Sequence, residues 1–287
     1  MNNDFTRYYL DIRRKQKRET LLWSLGLVVL YLGAGTLAEF NLYTVWISLP
    51  HFFDYLAQII PVLHWQVLFA DVHTKGSLHY WGYRLPIQLP LIWDTVQMAL
   101  AATMISVLAA SVLAFLAAAN TNTPAALRLI IRTSVAFLRT MPELAWAVMF
   151  VMAFGIGMFP GFLTLALHTV GSLTKMFYEA LESASNQPVR GLRACGAGTL
   201  QCMRFGLWPQ VKPIFLSYSF MRLEINFRLS TILGLVGAGG IGQELMTNIK
   251  LDQYDQISMT LLLIILVVAA LDALSGTLRK WVVEGKK

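Results

Sequence analysis

Four long runs of this chain carry no charged side chain, and that absence limits what it can fold into more than any motif does. Leu21 to Ala38, Thr95 to Leu127 and Gln256 to Leu271 contain no Asp, Glu, Lys or Arg, and from Leu144 to Thr174 the only titratable residue is His168. At a helical rise of about 1.5 Å per residue, some 20 such residues cross a hydrocarbon core about 30 Å thick. The 287 residues are 56% apolar and only 14% charged, with a mean hydropathy of +0.56. That composition excludes an ordinary soluble domain. The chain reads as an integral membrane protein whose length suits one membrane domain without a large soluble appendage.

A net charge of +7 would suit a nucleic-acid surface, but the placement of the charges argues against one. Basic residues cluster at Arg7, Arg13, Arg14, Lys15, Lys17 and Arg18, at Arg128, Arg132 and Arg139, at Arg190, Arg193 and Arg204, and at Arg279, Lys280, Lys286 and Lys287. Between the spans the other side receives only Lys75, Arg84 and Lys250. Positive charge is retained on the cytoplasmic side, so both termini are expected there. The basic start followed by an apolar run of about 18 residues is too long for a usual signal-peptide core and lacks a small-x-small cleavage site, so it reads as a retained anchor. Two cysteines, Cys195 and Cys202, make neither a zinc site nor a disulfide framework.

The pattern predicts an all-α protein with about six spans. They are Thr20–Phe40, Leu91–Ala119, Pro142–Gly157, Phe162–Ala180, Val211–Leu235 and Gln256–Leu278. Residues 1–90 form a basic tail, the first span and an external segment, and 91–287 form the core. Within 41–90, the stretch Leu49 to Ile60 is amphipathic enough to lie on the membrane surface. Ala125 to Thr140, with three arginines, reads as an interfacial helix. Four of the five histidines fall in the external segment, but their spacing matches no familiar ligand set. No metal or other cofactor is expected.

Three features of 181–246 stand out. The first is a polar, basic connector at about 181–209. It reads as a helix through Arg190, Gly191, Leu192, Arg193 and Ala194, a turn at Gly196-Ala197, and a second short helix that Pro209 stops before the next span. Its small residues flanked by basic ones suit either a partner's docking surface or an ordinary cytoplasmic loop.

The second is a charged helix in the fifth span. Counted from Val211, Arg222 lies about 16 Å along it, near the bilayer centre. Each charge there costs roughly 2.5–3.5 kcal/mol on the insertion scale. Glu224 and Arg228, four apart, share a face and can pair. Arg222 shares another face with Ser219, Asn226 and Ser230, and is left as a surplus positive charge. An anion pathway explains the surplus; a salt-bridge network without substrate contact is the alternative.

The third feature is the cluster Gly237, Gly239, Gly240 and Gly242. It matches the letters of a dinucleotide fingerprint but lacks its strand–turn–helix setting. Close packing or flexible backbone at a gate accounts for it better. No nucleotide-binding lysine motif and no catalytic cluster is present.

From Leu138 to Met246 these residues resemble the permease of a phosphonate-type ATP-binding-cassette (ABC) importer. The resemblance is carried by Arg139-Thr-Met-Pro-Glu143, Leu192-Arg-Ala-Cys-Gly-Ala197, Trp208-Pro-Gln210, Phe220 to Arg228 and Gly234 to Gly242. In that family the connector begins Glu-Ala-Ala, has a glycine four residues on and ends in Leu-Pro. Here Arg190-Gly191-Leu192 begins it, Gly196 matches, Trp208-Pro209 ends it, and Arg190 replaces the acidic residue.

The resemblance implies a type I importer permease of a bacterial inner membrane. Two copies would flank a pathway, a dimer of ABC ATPase subunits would dock on the connectors, and an external solute-binding protein would deliver a phosphorus oxyanion. It implies a transport subunit and not an enzyme. A permease for methionine, an osmolyte or phosphate, or a secondary anion transporter, are the other readings.

Overall fold

The computed structural model describes residues 2–37, 41–61 and 63–284. Residues 38–40, at the end of the first expected span, and the tail lysines Lys286 and Lys287 lie outside them. The described residues form helices and turns, with no strand among them. The chain divides into two compact units, residues 1–58 and 59–287.

The first unit holds α1 (Asn2–Leu37) and all but the last residue of α2 (Leu42–Ile59). Tyr8–Thr36 is long and apolar enough to cross a membrane, and its apolar window is entirely unburied. Trp23, Leu27, Leu30 and Tyr31 all face outward, as a surface meant for lipid would. The stretch read as a surface helix from Leu49 is the second half of α2, which carries Pro50 inside it.

The second unit comprises α3 (Leu78–Trp81), α4 (Leu85–Ala117), α5 (Ala125–Thr140), α6 (Glu143–Phe154), α7 (Met158–Ser183), α8 (Gln187–Ala194), α9 (Thr199–Gln201), α10 (Trp208–Leu235), α11 (Gly240–Lys250) and α12 (Tyr254–Glu284). Helices α4 and α7 form the most extensive pairing. Small side chains permit it: Ala110, Ala114 and Ala118 pack against Leu173, Phe177 and Leu181. Without a hydrophobic drive between helices in lipid, such close backbone approach is what holds them together. Helix α10 lies against α4, α7 and α12, and the Phe215 ring stacks on Phe177 with centroids 3.8 Å apart.

Two long helices of this unit, Leu85–Ala117 and Tyr254–Trp281, qualify as spans by length and apolarity. At 26 residues, α7 is also long enough, but Lys175 and Glu179 make its end polar. The expected span Pro142–Gly157 differs. Helix α6 has 12 residues, or about 18 Å of rise, too short to cross alone. It is instead the second limb of a pair with α5, bent by 87°. The cause is local: a residue before proline is pushed out of the helical region, and Met141 (ψ 129°) and Pro142 (ψ 143°) are both extended.

The end of the unit that carries α3 and the start of α4 is tied by polar side chains. Arg84 reaches Glu244 at 3.0 Å and donates to Asn248 Oδ1 at 2.9 Å and Gln253 Oε1 at 3.2 Å. Gln88 Nε2 donates to Thr260 Oγ1 at 3.0 Å, and Trp81 Nε1 to Ser258 Oγ at 2.7 Å. Residues 81–88 are thereby fastened to α11 and α12.

Candidate functional site

The connector is built as a brace. Helix α8 buries Val189, while Arg190, Gly191, Arg193 and Ala194 stay exposed. Its hydrophobic side packs on Gly206, where a Cβ would stand 3.0 Å from Val189 Cγ2. Gly196, at φ +84°, turns the chain in a conformation that favours glycine. The structure departs from the sequence reading at Pro209. The second helical stretch does not stop there but runs through a π-helical turn, Cys202–Leu207, straight into α10, with Pro209 in its first turn. A proline is tolerated at that position, and the wider π turn accommodates the ring that an α turn would crowd.

Gln210 closes the brace. Its Oε1 accepts from Ser185 N at 3.0 Å, and its Nε2 donates to Ser185 O at 3.1 Å and Gly206 O at 2.6 Å. The connector's two ends are thus held by one side chain. Around it, Arg132 pairs with Glu182 and donates from Nε to Ala117 O at 2.9 Å. Glu182 also accepts from Ala119 N at 2.7 Å, and Arg193 donates to Asn122 at 3.3 Å. In the sequence Glu182 and Arg132 read as no more than connector and cytoplasmic charges, and Gln210 only as the last residue of the Trp208-Pro-Gln210 segment.

On α10 the polar stripe separates into two environments. Asn226 is fully buried: its Oδ1 accepts from Thr169 Oγ1 and its Nδ2 donates to Thr103 Oγ1, both at 2.9 Å. Ser230 is buried too and donates to Phe227 O at 2.7 Å. These two knit α10 to its own turn and to α4 and α7. Ser219 and Arg222 are half-exposed; Ser219 donates to Phe215 O at 2.7 Å, and the Arg222 Nε is buried without a hydrogen-bond partner. Glu224 and Arg228 form an ion pair along the helix.

Two residues that the sequence did not mark as site residues converge near Arg222. Glu143 opens α6, and its Oε1 lies 3.2 Å from His168 Nδ1 on α7, off line for a hydrogen bond but within ion-pair distance. Glu143 and Arg139 both act electrostatically on Arg222, Glu143 more strongly. The signal in the sequence was the placement of Glu143 directly after Pro142, a helix start where an acid suits the N-terminal dipole. It did not reveal which side chain the carboxylate faces.

The glycine cluster makes a turn and a tight contact. Gly237, Gly239 and Gly240 all have positive φ, and α11 follows α10 at an inclination of 40°. A Cβ on Gly242 would stand 1.9 Å from Thr231 O, so no side chain fits there. Thr95 Oγ1 accepts from Ile241 N at 2.9 Å, and Gly157 N donates to Gly237 O at 3.0 Å. The turn therefore docks on α4 and on the loop before α7. Among the described residues no group of three or more His, Cys, Asp or Glu side chains gathers into a metal site.

The model of the family described as "binding-protein-dependent transport system inner membrane component" matches residues 110–287, which contain the connector, the charged helix and the glycine turn. The chain belongs to this family. It is 44% identical over 199 residues to a phosphite transport system permease protein, PtxC, of Stutzerimonas stutzeri, covering 69% of this chain and 72% of that one. It is 37% identical over 187 residues to the phosphate-import permease protein PhnE of Mycolicibacterium smegmatis, covering 65% of this chain and 35% of that one. A chain of the MetNI methionine ABC transporter, solved in an inward-facing conformation, superposes with a TM-score of 0.59 at 20% identity, covering 70% of this chain and 98% of that one. The fold is that of a type I ABC importer permease.

An inner membrane component of such a system is a multi-pass transport subunit and not an enzyme; ATP is hydrolysed by a separate ATPase subunit, and a binding protein is the other partner. In this permease, the exposed face of α8 is the described surface that combines small residues with basic ones at the end of a braced lever.

Proposed function

We propose that this permease carries a phosphorus oxyanion, such as phosphite or a phosphonate, from an external binding protein to the cytoplasm. The observation that carries the reading is Arg222. In a chain 44% identical to a phosphite permease, its guanidinium sits part-way along a central helix with a buried Nε and no partner. A cation left so in a membrane interior is costly unless a mobile anion meets it. Ser219, one turn before Arg222 on α10, lies with it on the half-exposed part of the stripe. The exposed α8 residues Arg190, Gly191, Arg193 and Ala194, with the Gly196 turn, form the ATPase docking surface, and Leu192, Ala197 and Pro209 set its shape. Two copies of the chain flank the pathway, lipid covers the outward apolar faces, and both termini face the cytoplasm.

The test is ATP-driven uptake of labelled phosphite, a labelled alkylphosphonate and labelled inorganic phosphate, at low micromolar concentration, by cells lacking only this chain and by complemented cells. Loss of phosphite or phosphonate uptake, restored by the gene, is expected. Inorganic phosphate is included because one relative is named for its import; if that anion alone depends on the chain, the substrate is phosphate. Unchanged uptake of all three in cells without a second importer would refute the reading.

A further inference from the structure

Four charged or titratable side chains from four helices meet around the break between α5 and α6. Arg139 ends α5, and its Cγ lies against Gly171 of α7, 3.1 Å from where a Cβ would stand. Glu143 begins α6. His168, on α7, is 11% exposed at its side chain and has Nδ1 3.2 Å from the Glu143 carboxylate. Arg222 is on α10, and the Thr169–Asn226 hydrogen bond sets the α7 residue next to His168 level with the α10 residue one turn beyond Arg222.

The pairing within this group is uneven. The negative charge of Glu143 acts on Arg222, against the repulsion from Arg139. Yet the Glu143 carboxylate is seated against the His168 imidazole, with Oε1 3.2 Å from Nδ1, and Arg222 makes neither an ion pair nor a hydrogen bond among the described residues. A carboxylate free to swing would settle on a guanidinium in preference to an imidazole, because the guanidinium is always charged and presents a fork of donors. A resident Glu–Arg pair would then have to be broken by every anion that passed. A conduction site must instead bind well enough to be entered and weakly enough to be left.

We infer that His168 holds the Glu143 carboxylate aside, keeping the Arg222 guanidinium open as a transit seat for a tetrahedral phosphorus oxyanion. This rests on the oxyanion reading above. His168 is in this role a positioning residue: it need not touch the cargo. Glu143 cannot simply be omitted, since its charge stabilises the start of α6 at the 87° break, so its carboxylate needs a partner other than Arg222.

The experiment uses the full importer in cells and the purified permease in detergent. His168→Leu is expected to lower maximal uptake about tenfold at unchanged permease level, within the range expected for coupling between residues of one polar network. Adding Glu143→Gln to His168→Leu is expected to restore most of the loss, because the carboxylate that closes Arg222 is gone. A double variant as slow as the single one would overturn the proposal, since a purely structural role for His168 offers no such rescue. A cargo-independent arm separates this from failure of the substrate reading. Melting midpoints of the cycle Glu143→Gln, Arg222→Leu and their combination should show little coupling with His168 present and clear coupling in the His168→Leu background. Equal coupling in both backgrounds would overturn the proposal whatever anion is carried. Absent uptake of every phosphorus anion by wild-type cells, with that coupling pattern intact, would refute only the substrate.

Discussion

Arg222 and Asn226 are four residues apart on one helix, yet their surroundings assign them opposite roles. Asn226 is fully enclosed with both ends of its amide satisfied by Thr169 and Thr103, so its contribution is to helix association. Asn226→Leu should therefore destabilise the purified permease by about 0.5–2 kcal/mol, the range measured for hydrogen bonds between membrane helices. Most of that loss should disappear in a Thr169→Val background, as a double-mutant cycle of thermal or denaturant unfolding would show. Arg222→Leu should do the reverse: it removes an unpaired charge, so the permease inserts and melts no lower than wild type while uptake falls at least tenfold. Normal uptake by Arg222→Leu would reduce the arginine to a structural role, and a large drop in its melting point would show a partner inside the protein. The sequence placed both residues on one polar face by their spacing. It could not tell them apart, because that distinction depends on which faces α4 and α7 cover.

At the scale of the element, the connector matters because it is stiff. Gln210 fastens its start to its end, Glu182 at its start pairs with Arg132 of α5 and accepts from Ala119 N after α4, and its last turn continues into α10 without a break. A push on α8 is therefore delivered to α10, which bears Arg222. Gly191 offers a clean test of the docking face. A Cβ there would meet nothing within 4 Å, and the residue lies inside a helix, so Gly191→Trp fits the isolated permease and gains about 0.5 kcal/mol in helix propensity. The expected result is normal folding with loss of ATPase copurification and of ATP-driven uptake. Retained copurification would place the docking surface elsewhere. The helix–turn–helix form of this connector was legible from Gly196 and from helix-forming residues on both sides. Its continuity into α10 was not, because Trp208-Pro209 in sequence reads as a stop, and only the π turn before Pro209 lets the helix run on. The α5–α6 bend shows the opposite: Met141-Pro142 did break the chain, but apolarity alone had promoted the short limb α6 to a full span.

At the scale of the whole chain, composition and charge-free runs established an all-helical membrane protein. The glycine turn shows why the finer layout needed coordinates. Gly237 to Gly242 match the letters of a nucleotide motif but read better as close packing or a flexible gate, and the structure uses them where three positive φ angles and a 1.9 Å clash at Gly242 permit nothing larger. What remains to be placed is the membrane itself, and the two cysteines provide the means. Cys195 is exposed at the end of α8, whereas Cys202 is buried with its Sγ 3.7 Å from Ala197 O. If basic residues mark the cytoplasmic side, a membrane-impermeant maleimide should leave the permease unlabelled in intact cells lacking an outer barrier. In inverted vesicles it should modify Cys195 alone. Lys75→Cys, in the external segment, should show the opposite sidedness. Adding the ATPase subunit should then protect Cys195, because it adjoins the face proposed for that subunit's docking. Labelling of Cys195 from outside would invert the topology and place α8 out of the ATPase's reach, so a single accessible thiol tests both the orientation of the chain and the route by which ATP hydrolysis reaches Arg222.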